Sequence, residues 1–160
     1  MKTLRRLSIA ALLALLLTNL VGPPAWAASV NCITTDSATG STITGSFTIT
    51  DNVVTGHTNC AGSAVVPTGV TSIGDLAFDG ASLLSSISMP NTVTSIGGQA
   101  FRGASSLTSI TIPKSVTSIG STAFQTATNL ASITFDPESK LTTIGPDAFV
   151  DTAIQTIAIP

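Results

Sequence analysis

The sequence predicts a repeat solenoid, and three observations carry the prediction. A five-residue phrase returns four times, as Val70-Thr71-Ser72-Ile73-Gly74, Val93-Thr94-Ser95-Ile96-Gly97, Val116-Thr117-Ser118-Ile119-Gly120 and Leu141-Thr142-Thr143-Ile144-Gly145. The steps are 23, 23 and 25 residues. An Ala-Phe pair follows each phrase in register, and an alternating apolar segment follows each pair. A fixed period in this range marks units that bury their apolar face only by stacking on neighbours.

The first 27 residues read as an export signal. Lys2, Arg5 and Arg6 form a charged start, Leu7 to Val21 is rich in Leu and Ala, and Ala25-Trp26-Ala27 supplies the small residues of a cleavage site. A membrane anchor is the alternative. The run falls short of the ~20 apolar residues a bilayer span needs and contains Thr18 and Asn19. The predicted organisation is a cleaved signal over 1–27, an N-terminal β cap over 28–62 and the repeat domain over 63–160.

Cleavage would leave Arg102, Lys114 and Lys140 against eight carboxylates, a net charge of −5. That balance argues against nucleic acid and anionic membranes as partners. No membrane span is expected after cleavage. Only 9% of residues are charged, so Ser and Thr carry most of the polarity.

Within the cap, Ser41 to Thr50 alternates polar with apolar residues, and Asp51-Asn52 leads into Val53-Val54-Thr55. This pattern predicts a β-hairpin. Cys32 and Cys60 are the only cysteines. In an exported chain an isolated pair reads as one disulfide, worth about 3.5 kcal/mol by loop closure. Metal binding by Cys32, Cys60 and His57 is the alternative, but it lacks a fourth ligand. No matching cap follows the repeats. Ile157 and Ile159 would lie in the last strand, so a C-terminal extension or self-association is expected to cover that end.

Each repeat is predicted to hold two walls joined by a turn. In Leu107-Thr108-Ser109-Ile110-Thr111-Ile112-Pro113 the apolar residues fall at positions 1, 4 and 6. The spacing recurs as Leu84, Ile87 and Met89, as Leu130, Ile133 and Phe135, and as Ile154, Ile157 and Ile159. Positions 4 and 6 alternate with a hydroxyl residue, the period of a strand with one buried face. Proline after three of the four copies would end the strand. Pro67 after Val66 reads as the tail of an earlier, degenerate copy. Stacked copies give a parallel ladder with one strand per repeat.

The Val-Thr-Ser-Ile-Gly segment should run extended along the second wall, and Gly should lead into a short helical or turn segment. Asp75 and Ser121 are candidate caps for two of these segments, and Gly80 and Gly103 candidate closers. The predicted core is Ile73, Phe78, Leu84, Ile87, Ile96, Phe101, Leu107, Ile110, Ile112, Ile119, Phe124, Leu130, Ile133, Ile144, Phe149, Ile154 and Ile157. The Phe residues form one aromatic layer per repeat.

These residues resemble the BspA-type leucine-rich repeat. The resemblance rests on Pro, then Val-Thr-Ser-Ile-Gly, then Ala-Phe, then Leu-Thr-Ser-Ile-Thr-Ile-Pro, over about Ser63 to Pro160. It implies a right-handed leucine-rich solenoid on exported or surface proteins, often linked to adhesion and partner binding. The sequence departs from the pattern in three places. Ala81, Ala104, Ala127 and Thr152 stand where the family often has Cys. The third copy has two extra residues around Asp136-Pro137-Glu138, and the fourth lacks one between Phe149 and Ile154. The resemblance carries no fixed ligand motif.

No catalytic constellation emerges, and no cofactor is expected. The chain has one His, no Tyr and no Gly-x-Ser-x-Gly elbow. His57 has no evident orienting acid, and the carboxylates Asp75, Asp79, Asp136, Glu138, Asp147 and Asp151 are scattered over turns. The remaining candidate is the exposed strand face, with Ser86 and Ser88, Ser109 and Thr111, Ser132 and Thr134, then Thr156 and Ala158. It forms two hydroxyl columns, spaced near ~4.8 Å if the strands pair. The ordinary reading is a solvated β face. The functional reading is a broad surface for a protein or glycan, on a secreted or cell-surface, bacterial-type, non-enzymatic adhesion module. A structural spacer in a larger surface protein and an ice-binding Ser/Thr ladder are the alternatives.

Overall fold

The computed structural model describes residues 28–35 and 42–159. The predicted signal segment lies outside the described residues, as do Ser41 and Pro160. The described chain is a β-solenoid whose coils repeat every 23 residues and once every 25. Its elements are eleven strands joined by turns.

The cap is larger than the predicted hairpin. β1 (Ala28–Thr35) pairs antiparallel with β2 (Thr42–Thr50), which pairs antiparallel with β3 (Val53–Thr58). The β2–β3 turn has Asp51 at φ 51° and Asn52 at φ 64°. Two left-handed residues make the turn that matches strand twist in a two-residue hairpin, and Asp and Asn tolerate that conformation best after Gly. β4 (Gly62–Val65) lies antiparallel to β1. Cys32 and Cys60 are bridged, with Cα atoms 5.2 Å apart and both side chains buried. The bridge ties β1 to the segment entering β4.

Two walls run from the cap along the stack, one from β3 and one from β4. The second wall is a row of two-residue strands, namely β5 (Ser72–Ile73), β7 (Ser95–Ile96), β9 (Ser118–Ile119) and β11 (Thr143–Ile144). They pair in parallel from β3 outward, with Ser72 opposite Ser95, Ser95 opposite Ser118 and Ser118 opposite Thr143. The first wall holds β6 (Leu84–Ser88), β8 (Ser109–Ile112) and β10 (Ser132–Phe135). β4 pairs in parallel with β6, and β8 with β10. The cap thus joins both walls in one nine-stranded sheet, ordered β11-β9-β7-β5-β3-β2-β1-β4-β6, while β8 and β10 form a second sheet.

The expected parallel ladder is present, with one interruption on the first wall. No ladder pairs β6 with β8, although their copies are equal in length. β6 is bulged against β4, with a register shift at Gly62/Ser63. A bulge bends its strand and increases twist. β6 also ends at Ser88, leaving Met89 half-buried, whereas the equivalent Ile112 is fully buried inside β8. One correction concerns Ile154 to Ile159, which form no strand. The turn before them is one residue shorter than its counterpart between Phe124 and Leu130.

The core lies between the walls. Ile73, Phe78, Leu84, Ile87, Ile96, Phe101, Leu107, Ile110, Ile112, Ile119, Phe124 and Leu130 are buried. Ile133, Ile144, Phe149, Ile154 and Ile157 are only half-buried, because they belong to the last coils among the described residues and no further described coil packs on them. Phe78, Phe101, Phe124 and Phe149 stack with centroids 5.2–5.4 Å apart and planes within 10°. Phe47 of the cap meets Phe78 edge-on at 5.6 Å, and His57 stacks on the same ring at 5.9 Å. Both arrangements are favourable for aromatic rings.

The turn segments are turns and not helices. Leu76, Gln99, Thr122 and Asp147 recur at one left-handed position, with φ between 52° and 59°. Gly80, Gly103, Thr126 and Asp151 recur at a second, with φ between 56° and 71°. Two left-handed residues per turn preclude a helical segment. The Gly of each wall phrase serves another need. A Cβ on Gly97 would meet the backbone of Asp75 at 2.5 Å, and one on Gly120 would meet the backbone of Gly97 and Gly98. Adjacent coils approach too closely there for any side chain.

Candidate binding face

Three side-chain systems run along the stack. The first is structural. Thr94 donates its amide N–H and its hydroxyl to the carbonyl of Thr71, at 2.8 and 3.0 Å. Thr117 does the same to Thr94, and Thr142 to Thr117. Thr71 ends the row on the carbonyl of Asn52 in the cap. Each Thr therefore fastens its coil to the preceding one twice. The invariant Thr in the wall phrase was the available signal, but a strand hydroxyl alone does not reveal a second donor to the same carbonyl.

The second system lies on the turns and holds most of the charge. The Arg102 guanidinium grips Asp79 with two hydrogen bonds of 2.7 Å, one coil apart. Those bonds and the carboxylate charge raise the Arg102 pKa above its ordinary value. Lys114 donates to Glu138 at 2.5 Å, which likewise raises the Lys114 pKa. Glu138 sits in the two-residue insertion, where a turn from Asp136 to Ser139 carries the extra length outward. Asp75 and Ser121 do not cap their own segments. Asp75 accepts from the Gly98 N–H at 2.7 Å, and the Ser121 hydroxyl donates to the carbonyl of Pro146, so each bridges to the next coil.

The third system is the outer face of the first wall. Ser86, Ser88, Ser109, Thr111, Ser132 and Thr134 are all exposed on strands β6, β8 and β10. Ser109 lies opposite Ser132, and Thr111 opposite Thr134. The columns extend one strand further than the sequence reading placed them. Ser63 lies opposite Ser86, with hydroxyls 2.9 Å apart, and Val65 lies opposite Ser88. Val65 is 62% exposed. The Val66-Pro67 tail was the signal for this earlier copy. Thr156 is exposed but outside any strand, so it does not continue the ladder.

The columns split where β6 and β8 part. The groove there has a volume of about 410 Å³ and is lined by Ile87, Ser88, Met89, Asn91, Thr111, Pro113 and Asp136. On either side the strand face is uncharged, since Ser63, Val65, Ser85, Ser86, Ser88, Ser109, Thr111, Ser132 and Thr134 make up its exposed positions, flanked by Thr108 and Ala131. Such a surface can exchange hydrogen bonds with neutral groups and lets a flat partner approach closely. It has no acid paired with a base for proton transfer. His57 is committed elsewhere, stacked on Phe78 and donating from Nδ1 to the carbonyl of Ala77. Among the described residues, no three His, Cys, Asp or Glu side chains gather to hold a metal ion, and no helix is long and apolar enough to cross a membrane.

The family model described as the BspA type leucine rich repeat region, of six copies, matches residues 38–160. The match reaches back into the cap, well before Ser63. No curated protein and no solved structure matches the chain.

Proposed function

Because the chain belongs to the BspA-type leucine-rich repeat family, we propose that it is an exported, non-enzymatic binding module whose contact surface is the outer face of strands β4, β6, β8 and β10. The family is one of repeat proteins that are often surface-associated, and the disulfide fits an oxidising compartment. In this reading residues 1–27 are removed as a signal, 28–62 cap the stack and 63–160 carry the binding face.

The observation that carries the reading is the uncharged hydroxyl face itself. Charges are confined to turns and loops, while the nine exposed positions of strands β4, β6, β8 and β10 on this face are Ser, Thr or Val. The partner is a protein or glycan surface engaged over several coils, since no Arg or aromatic side chain offers a single strong contact on this face. Adhesion then depends on many weak contacts made together. An ice-matching lattice is disfavoured, because the columns are interrupted between β6 and β8.

The test uses residues 28–160 on intact cells and on immobilised neutral glycans. Ser109→Lys, Thr111→Lys and Thr134→Lys project outward and leave the core untouched. Saturable binding that falls at least tenfold in the triple variant supports the module. Binding that is unchanged, or absent from the parent protein, overturns it in favour of a passive spacer. Thermal hysteresis in the parent would favour the ice-binding alternative.

A further inference from the structure

The first wall breaks between β6 and β8, and the break leaves a groove at the strand ends. At the other two seams of this wall a hydrogen bond closes the gap just past the strands. Val66 donates to Ser88 at 2.9 Å, and Asp136 donates to Ile112 at 3.2 Å. Met89 stands just past β6 in the same way, but its N–H has no backbone partner among the described residues. The groove beside it measures about 410 Å³, within the ~300–1,000 Å³ of small-molecule sites.

Three coils contribute different chemistry to this groove. Ile87 and Pro113 are buried and Met89 is half-buried, which makes the lining apolar in its depth. Ser88, Asn91 and Thr111 are exposed around them, with side chains that make no hydrogen bond among the described residues. Asp136 completes the lining, and stands where the two earlier copies have Pro90 and Pro113. One of its carboxylate oxygens accepts from the Glu138 N–H at 3.1 Å, which leaves the other to accept from a ligand.

We infer that this groove is a subsite for one neutral sugar ring of a glycan, and that the hydroxyl columns on either side carry the neighbouring rings. The inference rests on the strand face being the binding surface. A pyranose has an apolar C–H face and a rim of hydroxyls. The first suits Met89 and Pro113. The second suits the Asp136 carboxylate and the Asn91 amide, which both donates and accepts. An anionic sugar is disfavoured, since the groove lining has a carboxylate and no Lys or Arg. A cationic side chain is disfavoured as well. Lys114 already lies in the field of Asp136, so the carboxylate charge is partly answered within the chain. A hydroxyl donor needs only the free lone pairs.

The experiment uses residues 28–160 with backbone amides labelled for NMR. The probes are the methyl glycosides of glucose, galactose, mannose and N-acetylglucosamine, with the amide of N-acetyl-lysine as the cationic comparison. The expected result is a saturable shift of the Met89, Asn91 and Thr111 amides with at least one glycoside. Asp136→Asn keeps the acceptor for Glu138 and turns the free oxygen into a donor, so it should weaken that binding at least about tenfold. Asn91→Ala should weaken it too, and supplies the decision if Asp136→Asn alters its turn. Asp147→Asn, the same charge change on a turn outside the groove, should leave it unchanged. The absence of any saturable glycoside shift, saturation by the lysine derivative alone, or a shift that both groove variants leave intact overturns the inference. Its failure is distinct from failure of the broader reading. Cell binding that falls in the triple Lys variant of the strand face but not in Asp136→Asn removes the subsite and leaves the face. Cell binding that neither changes removes both.

Discussion

The Nδ1–H of His57 donates to the carbonyl of Ala77 at 3.2 Å, and takes the place that a backbone amide holds at every later coil. Ala100, Ala123 and Ala148 accept from Phe78, Phe101 and Phe124. Ala77 has no preceding Phe in its row, and the imidazole fills the gap while stacking on Phe78. A single histidine that looks like a catalytic candidate thus ends both the hydrogen-bond row and the ring column.

His57→Ala should therefore lower stability by about 1–3 kcal/mol, the cost of leaving a shielded carbonyl unpaired and of losing ring contact. His57→Phe should recover part of that loss through stacking. Urea denaturation of the oxidised protein checks both values.

Gly120→Ala should be among the most damaging small substitutions, costing more than about 3 kcal/mol, because its Cβ would enter the backbone of the neighbouring coil and packed interiors yield little. Gly56→Ala is the control. No atom lies within 4 Å of its would-be Cβ, so its effect should stay within about 1 kcal/mol. Thermal unfolding of the two variants should separate them clearly.

Thr126 occupies a left-handed position, φ 56°, that Gly80 and Gly103 fill in earlier coils. Its hydroxyl donates to the carbonyl of Gln125 at 2.7 Å, a local compensation. A β-branched residue there carries strain of about 1–2 kcal/mol. Thr126→Gly should raise the melting temperature, and the converse Gly103→Thr should lower it.

The pH dependence follows from Lys114. Its pKa in the folded chain is raised above the ordinary 10.5 by Glu138. Its contribution to stability is complete below that ordinary value and is lost as pH rises through the folded-state pKa. Both partners are solvent-exposed, so Lys114→Met should leave the melting temperature at pH 7 nearly unchanged and flatten the alkaline limb of the stability profile. A melting series from pH 7 to strongly alkaline conditions checks this.

Positions that repeat as the same residue type were readable before the structure was known. Phe78, Phe101, Phe124 and Phe149 announced the ring column, because an aromatic residue at a fixed period has few other uses. The left-handed row of Leu76, Gln99, Thr122 and Asp147 was hidden, since four unrelated side chains share only a backbone angle. The parting of β6 from β8 was hidden as well, because the two copies match in length and the bend begins at a bulge against β4. On the candidate face Ser109, Thr111, Ser132 and Thr134 were readable from alternation. Ser63 and Val65 were missed because their copy lacks the preceding wall phrase. β1 went unassigned because its pairing depends on β2 and β4, contacts that no local pattern encodes.

The several rows of hydrogen bonds that join each coil to the next also govern how the stack answers a pull along its axis. At each junction the wall and turn bonds bear the load side by side with the threonine staples. Such a junction does not unzip from one rim. It holds until the set gives way together, and each 23-residue coil then pays out about 80 Å of extended chain. Tethered in a moving fluid, the protein would lengthen in discrete steps and keep its remaining coils folded.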